Sequence, residues 1–218
     1  KTDSCLTHEQ AAAIKKGFAG PKDSHGNQVY PGFYFDTGIA DKGFIAGLLN
    51  PGPNPVAGTI VATEMDVDRD AMLAANPTAA VGDTASWTQL NTFSGHGGKL
   101  IFFHGVSDPW FSAQDTVRYY EQMEADNGGA ATVSDWSRLF LVPGMGHCSG
   151  GSAALDQFDM IDPIVNWVEK GEAPKSVVAK GKAFPHRTRP LCPYPQHAHY
   201  KGKGDVESAD NFECRSPS

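Results

Sequence analysis

Lys99-Leu-Ile-Phe-Phe-His104 is an unbroken apolar run of strand length, and Arg138-Leu-Phe-Leu-Val142 is a second one. Between them, a segment that starts at Ser112 has one apolar and one polar side, as an amphipathic helix does. After the second run, apolar residues recur at helical spacing from Phe158 to Val168. Buried strands that alternate with such helices form parallel sheets with crossover helices. This stretch therefore predicts an α/β fold.

Each predicted strand is followed by a glycine-containing loop with one titratable side chain. The first loop, Gly105-Val-Ser-Asp108-Pro109, contains an acid, and the second, Gly144-Met-Gly-His147-Cys148, contains an imidazole. Functional residues of parallel α/β sheets lie in loops beyond the carboxyl ends of the strands. An acid and a histidine in this order match a serine-hydrolase triad, in which the carboxylate orients the imidazole that deprotonates a serine. The structural alternative is that Asp108 caps the following helix and His147 is an ordinary turn residue.

The composition excludes several classes of protein. With 218 residues, 40% of them hydrophobic and 20% charged, the chain is long enough and apolar enough to form a globular core. Its net charge of −7 argues against nucleic acid or an anionic membrane surface as a partner, and its apolar runs are too short to cross a bilayer. The chain starts at Lys1, without an initiator Met or a signal sequence, so we expect it to begin inside a longer gene product.

The four cysteines are Cys5, Cys148, Cys192 and Cys214, and two bonds within the chain would allow three pairings. Cys192 and Cys214 flank a tail that is rich in Pro and Gly and has little apolar content. A disulfide that closes this loop would stabilise it by roughly 3 kcal/mol. We therefore expect a Cys192–Cys214 bond, which fits an oxidising compartment, so that the protein is predicted to be secreted or periplasmic.

Upstream of the strands, the sequence predicts short helices joined by long loops. Thr7 and Gln10 form a capping box, which predicts a helix up to Ala19. Further short helices are predicted near Ile45–Leu49 and over 67–75. The loop after the first helix carries four aromatic side chains, which either line a pocket for an aromatic acid or serve ordinary packing. They are Tyr30, Phe33, Tyr34 and Phe35.

Two groups of side chains imitate metal sites. Asp66-Val-Asp68-Arg-Asp70 resembles the start of a calcium loop, but Ala71 stands where the loop needs Gly and Pro77 occupies its twelfth position. A solvated helix face is the favoured interpretation. The second group lies on the Gly- and Pro-rich tail, where a metal site is the less favoured interpretation. It consists of His186, Cys192, His197 and His199. We therefore expect no metal ligands in this chain.

The motifs His104-Gly105-x-Ser107-Asp108-Pro109 and Val142-Pro143-Gly144-x-x-His147-Cys148 resemble the tannase and feruloyl esterase family. Cys5-Leu6-Thr7-x-Glu9-Gln10 is similar to part of the lid domain of that family, and the segment from Pro190 to Cys214 is similar to its tail. The resemblance implies the C-terminal part of an α/β-hydrolase fold, preceded by part of a lid domain. It divides the chain into lid (1–88), hydrolase core (89–180) and disulfide-closed tail (181–218).

The resemblance also implies roles for individual residues. Asp108 would be the triad acid and His147 the triad base, while Cys148 and Cys5 would each bond a cysteine upstream of Lys1. The sequence lacks a nucleophile elbow of the Gly-x-Ser-x-Gly type, and Ser149 follows the histidine, which is the wrong order for the family. The nucleophilic serine, the oxyanion hole and the rest of the lid are therefore expected upstream, in an N-terminal part that is the partner of this chain.

The resemblance implies a carboxylic-ester hydrolase that acts on small esters of hydroxylated aromatic acids and uses no catalytic cofactor. Feruloyl esters are the first expectation, and galloyl esters, the substrates of a tannase, are the alternative. A structural calcium ion is implied in the part of the lid outside this chain. An alternative of another class is a non-catalytic subunit that binds aromatic ligands or serves as a scaffold, since this chain lacks a recognisable nucleophile.

Overall fold

In the computed structural model, residues 5–40, 66–74 and 77–217 are described. The helices are α1 (His8–Phe18), α2 (Val67–Ala74), α3 (Pro77–Gly82), α4 (Asn91–Gly95), α5 (Ala113–Asp126), α6 (Ala130–Val133) and α7 (Ile161–Lys170), with 3-10 turns at Thr37–Ala40, Thr84–Ser86 and Ala209–Asn211. The strands are β1 (Leu100–Gly105), β2 (Ser137–Val142), β3 (Val177–Gly181), β4 (Phe184–Leu191), β5 (His197–Tyr200) and β6 (Phe212–Arg215). The helix predicted near Ile45–Leu49 lies outside the described residues.

The two apolar runs form a parallel pair of strands, as predicted. β1 and β2 are aligned from Leu100 opposite Ser137 to Gly105 opposite Val142, and α5 forms the crossover between them. β2 is buried on both faces: Leu139 packs with the buried side of α5, and Phe140 packs with residues of β3 and β4. Because both strands end at the same edge, the loops that follow them lie side by side.

Some side chains that we expected to be buried are exposed in the described part of the chain. We expected β1 to be buried throughout, but Phe103 is 45% exposed, and β1 pairs with β2 alone in the described part of the chain. The spacing in α7 predicted an apolar face, yet Ile161 is 69% and Val168 is 61% exposed, and Trp167 is the buried residue of this helix. An apolar pattern shows which side chains require a cover, but not which segment provides it.

Two N-terminal helices, α1 and α2, agree with the sequence-based predictions, whereas α3 and α4 were not predicted. In α1 the Thr7 side chain accepts from the Gln10 N–H while the Gln10 side chain accepts from the Thr7 N–H, so the capping box is present. The helix predicted over 67–75 is α2. Every helix among the described residues is too short or too polar to span a membrane.

The tail contains strands that the sequence did not predict. β4 pairs with β3 and β5 pairs with β6, both antiparallel, and the first pair adds Val177, Ala179 and Leu191 to the apolar core. The predicted disulfide is confirmed: Cys192 and Cys214 are bonded, with their Cα atoms 5.6 Å apart. The division of the chain at residues 88 and 180 stays a prediction.

Candidate active site

The site is built where the loops after β1 and β2 touch. The N–H of Val106 donates to the carbonyl of Val142 at 3.0 Å, which continues the strand pairing. One residue later, the N–H of Ser107 donates to the carbonyl of Met145, also at 3.0 Å. These two bonds hold the segment that leads to Asp108 against the segment that leads to His147.

Gly105 makes this close approach possible. A Cβ atom at this position would lie 2.4 Å from the carbonyl oxygens of both Met145 and Gly146. Both are backbone atoms, so the second loop would have to move to accommodate even one methyl group.

We expect Gly105→Ala to lower the free energy of unfolding by about 1–3 kcal/mol, because the added methyl overpacks the junction of the two loops. Gly17→Ala in α1 is the matched control, since its Cβ would meet nothing within 4 Å. This second change should be neutral or stabilise the helix by up to about 1 kcal/mol. Urea denaturation of both variants measures the difference. A Gly105→Ala variant as stable as the parent would show that the junction is not tightly packed.

The structure brings the two predicted triad residues together. Asp108 is only 4% exposed, and its Oδ2 lies 2.8 Å from Nδ1 of His147. Its Oδ1 accepts hydrogen bonds from the N–H groups of Trp110 at 2.8 Å and Phe111 at 3.0 Å. The helix that follows is capped by Ser112, whose Oγ accepts from the N–H of the second helical residue, and not by Asp108. Both oxygens of Asp108 therefore serve the loop and the imidazole.

Asp108 is held as a carboxylate. Burial raises the pKa of this group, but the hydrogen bonds from His104, Phe111, His147 and Trp110 together lower it to about 2. Since a carboxylate only accepts hydrogen bonds, the ring of His147 carries its proton on Nδ1. The lone pair is then on Nε2, the atom that a general base requires.

A second histidine, His104, also contacts Asp108. Its Nε2 lies 3.0 Å from the carbonyl oxygen of Phe111 and 3.5 Å from Oδ2 of Asp108, and its Nδ1 lies 2.7 Å from Oγ1 of Thr116. The carbonyl of Phe111 only accepts, so Nε2 of His104 carries a proton and presents it to both oxygens. Although His104 belongs to the motif that carries the family resemblance, the sequence assigned it no role.

The imidazole of His147 faces an aromatic cavity of about 620 Å³. Its ring contacts two half-exposed aromatic residues, with ring centroids 4.9 Å from Trp110 and 5.3 Å from Phe111. The aromatic residues that line the cavity are Tyr30, Phe102, Phe103, Phe111 and Tyr119. Neither Trp110 nor Phe111 was predicted from the sequence.

Of the four predicted pocket aromatics, Tyr30 alone lines the cavity of His147. Phe33 lies beside Tyr30, with ring centroids 6.4 Å apart, and Phe35 stacks on Phe18 at 4.5 Å. Tyr34 lines a different cavity, of about 560 Å³, between the loops and the tail. The structure therefore divides these residues between two cavities and ordinary packing.

The residue after His147 has an unusual backbone. Cys148 has a φ of 63°, in the left-handed region that few residues other than glycine adopt. It is exposed and forms no disulfide among the residues described. Its bond to an upstream cysteine, and that of Cys5, stay predictions.

The two groups that imitate metal sites have other partners. Asp70 pairs with Arg69, and Asp66 and Asp68 accept backbone N–H groups, so these acids serve the start of α2 and the loop beside it. In the tail, the sulfur of Cys192 is bonded to that of Cys214, so it is not a thiolate ligand for a metal ion. Over 5–40, 66–74 and 77–217, no cluster of three or more potential ligands is arranged to hold a metal ion.

Three comparisons with known proteins bear on this site. A mono(2-hydroxyethyl) terephthalate hydrolase from Piscinibacter sakaiensis is 37% identical, over 100% of this chain and 43% of that protein. The crystal structure of an esterase from Aspergillus oryzae superposes with a TM-score of 0.75 at 25% identity, covering 99% of this chain and 48% of the esterase. Feruloyl esterase B from Aspergillus oryzae superposes with a TM-score of 0.73 at 21% identity, covering 97% and 46%.

The likeness to the solved esterases shows that the fold is of the α/β-hydrolase type. The chain spans less than half the length of these relatives. The family model for tannase and feruloyl esterase matches residues 57–215, well over half of the chain and including both loops of the site. The chain therefore belongs to the tannase and feruloyl esterase family.

Proposed function

We propose that this chain supplies the acid and the base of a Ser-Asp-His triad in a carboxylic-ester hydrolase. The observation that carries the proposal is the 2.8 Å bond between a buried, ionised Asp108 and His147, whose ring faces an aromatic cavity. The nucleophilic serine is placed on an N-terminal part of the same enzyme. Membership of an esterase family supports this assignment.

The proposed reaction follows from the tautomer of His147. Nε2 accepts the proton of the serine hydroxyl as the serine oxygen attacks the ester carbonyl, and the tetrahedral intermediate collapses when the imidazolium returns the proton to the departing alcohol. A water molecule, deprotonated by the same nitrogen, then attacks the acyl-enzyme, and the imidazolium returns this proton to the serine oxygen as the acid is released. Asp108 stabilises the imidazolium in both steps. The reaction uses no cofactor, and a structural calcium ion is assigned to the lid part outside this chain.

The substrate class is proposed from the walls of the cavity. Aromatic rings beside His147 favour a planar aromatic acyl group through stacking and apolar burial. Esters of hydroxylated aromatic acids fit this lining, with feruloyl esters as the first choice and galloyl esters as the second. Two relatives are named for esters of aromatic acids: one is a mono(2-hydroxyethyl) terephthalate hydrolase and the other is a feruloyl esterase.

The proposed partner is the N-terminal part of the enzyme. Its docking is supported by an apolar surface that the described residues leave open, the face of α7 that carries Ile161 and Val168. Cys148 and Cys5 are proposed to bond cysteines of that part. The Cys192–Cys214 disulfide supports a secreted or periplasmic location, where such bonds persist.

The test uses the full-length protein and three methyl esters: ferulate, gallate and hexanoate. We expect kcat/KM to be highest for ferulate, followed by gallate, with the aliphatic ester far behind. Isothermal titration with ferulic acid is run in parallel. Binding of ferulic acid without hydrolysis of any ester would contradict the proposal and favour a non-catalytic binding subunit.

A further inference from the structure

Residues 36–38 form a strap that contacts both loops of the site. Oδ2 of Asp36 accepts the hydroxyl proton of Ser107 at 2.8 Å and the N–H of Gly144 at 2.7 Å. The N–H of Gly38 donates in turn to Oγ of Ser107 at 2.9 Å. One carboxylate oxygen thus links a residue next to Asp108 with a residue three positions before His147.

We propose that Asp36 is a positioning residue that keeps Asp108 and His147 aligned, an inference that rests on the proposed function. The two loops meet through few backbone bonds, and the oxygen of Asp36 adds an acceptor shared by a donor from each loop. Loss of this acceptor leaves the Ser107 hydroxyl and the Gly144 N–H without this partner, so each loop relaxes separately. The Asp108–His147 distance then varies, although neither catalytic side chain has changed.

The packing around Gly38 shows that the strap lies in close contact with Ser107. A Cβ atom on Gly38 would lie 2.3 Å from the Cβ of Ser107, so glycine is required for the strap to reach the buried serine. The strap is also continuous with a wall of the cavity: the hydroxyl of Tyr30 accepts the N–H of Ser112 at 3.0 Å, and Ser112 Oγ donates to the carbonyl of Gly32. Residues 30–38 therefore form part of the cavity wall and also contact both loops.

The two contacts require an acceptor oxygen at position 36 but no negative charge. This requirement distinguishes a positioning role of Asp36 from a general structural role. Both donors meet a single oxygen of Asp36, so the amide oxygen of asparagine can accept both hydrogen bonds without a negative charge. Leucine has a similar size and accepts none. We expect Asp36→Asn to work nearly as well as the parent, and Asp36→Leu to fail.

The experiment measures kcat and KM of the full-length enzyme on methyl ferulate, with active sites counted by titration with a fluorophosphonate. Asp36→Leu should lower kcat per active site by about 10²-fold and change KM by less than about threefold, since alignment and not ground-state binding is lost. Asp36→Asn should stay within about threefold of the parent. Asp135→Leu, at an exposed position outside the cavity, is the control and should have no effect.

Two outcomes would overturn the proposal: a normal kcat for Asp36→Leu, or an Asp36→Asn variant as impaired as Asp36→Leu. If Asp36→Leu does not fold, Ser107→Ala takes its place, because it removes the donor that links Asp36 to the Asp108 loop. This variant should lose about tenfold in kcat, and a normal rate would contradict the inference. A His147→Ala enzyme that stays active would instead refute the proposed function, which keeps the two failures distinct.

Discussion

Replacing His147 by alanine in the full-length enzyme should lower kcat for methyl ferulate by about 10⁵-fold or more, the largest effect we expect from any single change. In the proposed mechanism, this variant lacks the base that takes the serine proton and the acid that protonates the leaving alcohol. What remains is the contribution of substrate binding and the oxyanion hole. Fold and disulfide should be unaffected, since the ring is about one-third exposed.

His186→Ala is the matched control for this prediction. His186 is exposed on β4 in the tail and belongs to the group that imitates a metal site. We expect its loss to leave kcat and KM unchanged. If the His147→Ala enzyme kept more than about a tenth of the parent activity, the assignment of His147 as the base would be wrong.

Asp108→Asn should lower kcat by about 10⁴-fold with little change in KM. The asparagine side chain can still accept the N–H groups of Trp110 and Phe111, so the loop keeps its shape. However, its amide group directs an N–H at the imidazole where the carboxylate presented an acceptor. The ring is then held in the wrong tautomer, and the imidazolium loses its counter-charge. Asp135→Asn, at an exposed position, is the control and should retain full activity.

The same substitution should change stability in a pH-dependent way. The pKa of Asp108 is about 2 in the folded protein, below the ordinary value of 3.8, so the carboxylate stabilises the fold above pH 4. This stabilisation is about 2 kcal/mol at pH 7 and is lost as the pH falls through the folded pKa. Denaturant unfolding at pH 7 and at pH 2 to 3 should show a gap between Asp108→Asn and the parent that narrows in acid. A gap of the same size at both pH values would contradict an ionised Asp108.

The sequence predicted the core of the site because its determinants are local. Two strand-length apolar runs with a crossover helix imply a parallel pair, and a parallel register places the loops after Gly105 and Val142 side by side. Asp108 and His147 each follow one of these strands, so their contact follows from the topology. The roles proposed for the two residues came from the family resemblance.

The sequence did not predict the residues that support this pair. Asp36 lies 71 positions from Ser107 and 108 from Gly144, in an irregular loop where a single acid carries no periodic signal. His104 was counted as the last residue of an apolar strand, and its bonds depend on the three-dimensional path of the next loop. Trp110 and Phe111 follow a proline in a turn, a context that does not indicate where aromatic rings will point.

The strands of the tail were not predicted, for a related reason. β4 includes His186, Arg187 and Arg189, so its sequence has neither an apolar run nor clear alternation, and its pairing with β3 depends on residues before the tail. In α7 the opposite happened: the helix was predicted correctly, but its apolar face is exposed. Its pattern is correct for a helix, but its cover is not among the residues described.

Labelling of the full-length enzyme with a fluorophosphonate, which reacts only with a serine activated by a base, tests whether His147 activates a serine outside this chain. We expect one labelled serine, mapped by peptide mass to a segment outside residues 1–218, and a labelling rate that falls by several orders of magnitude in His147→Ala. A label on Ser149 or on any other serine of this chain, or an unchanged rate in His147→Ala, would contradict this expectation.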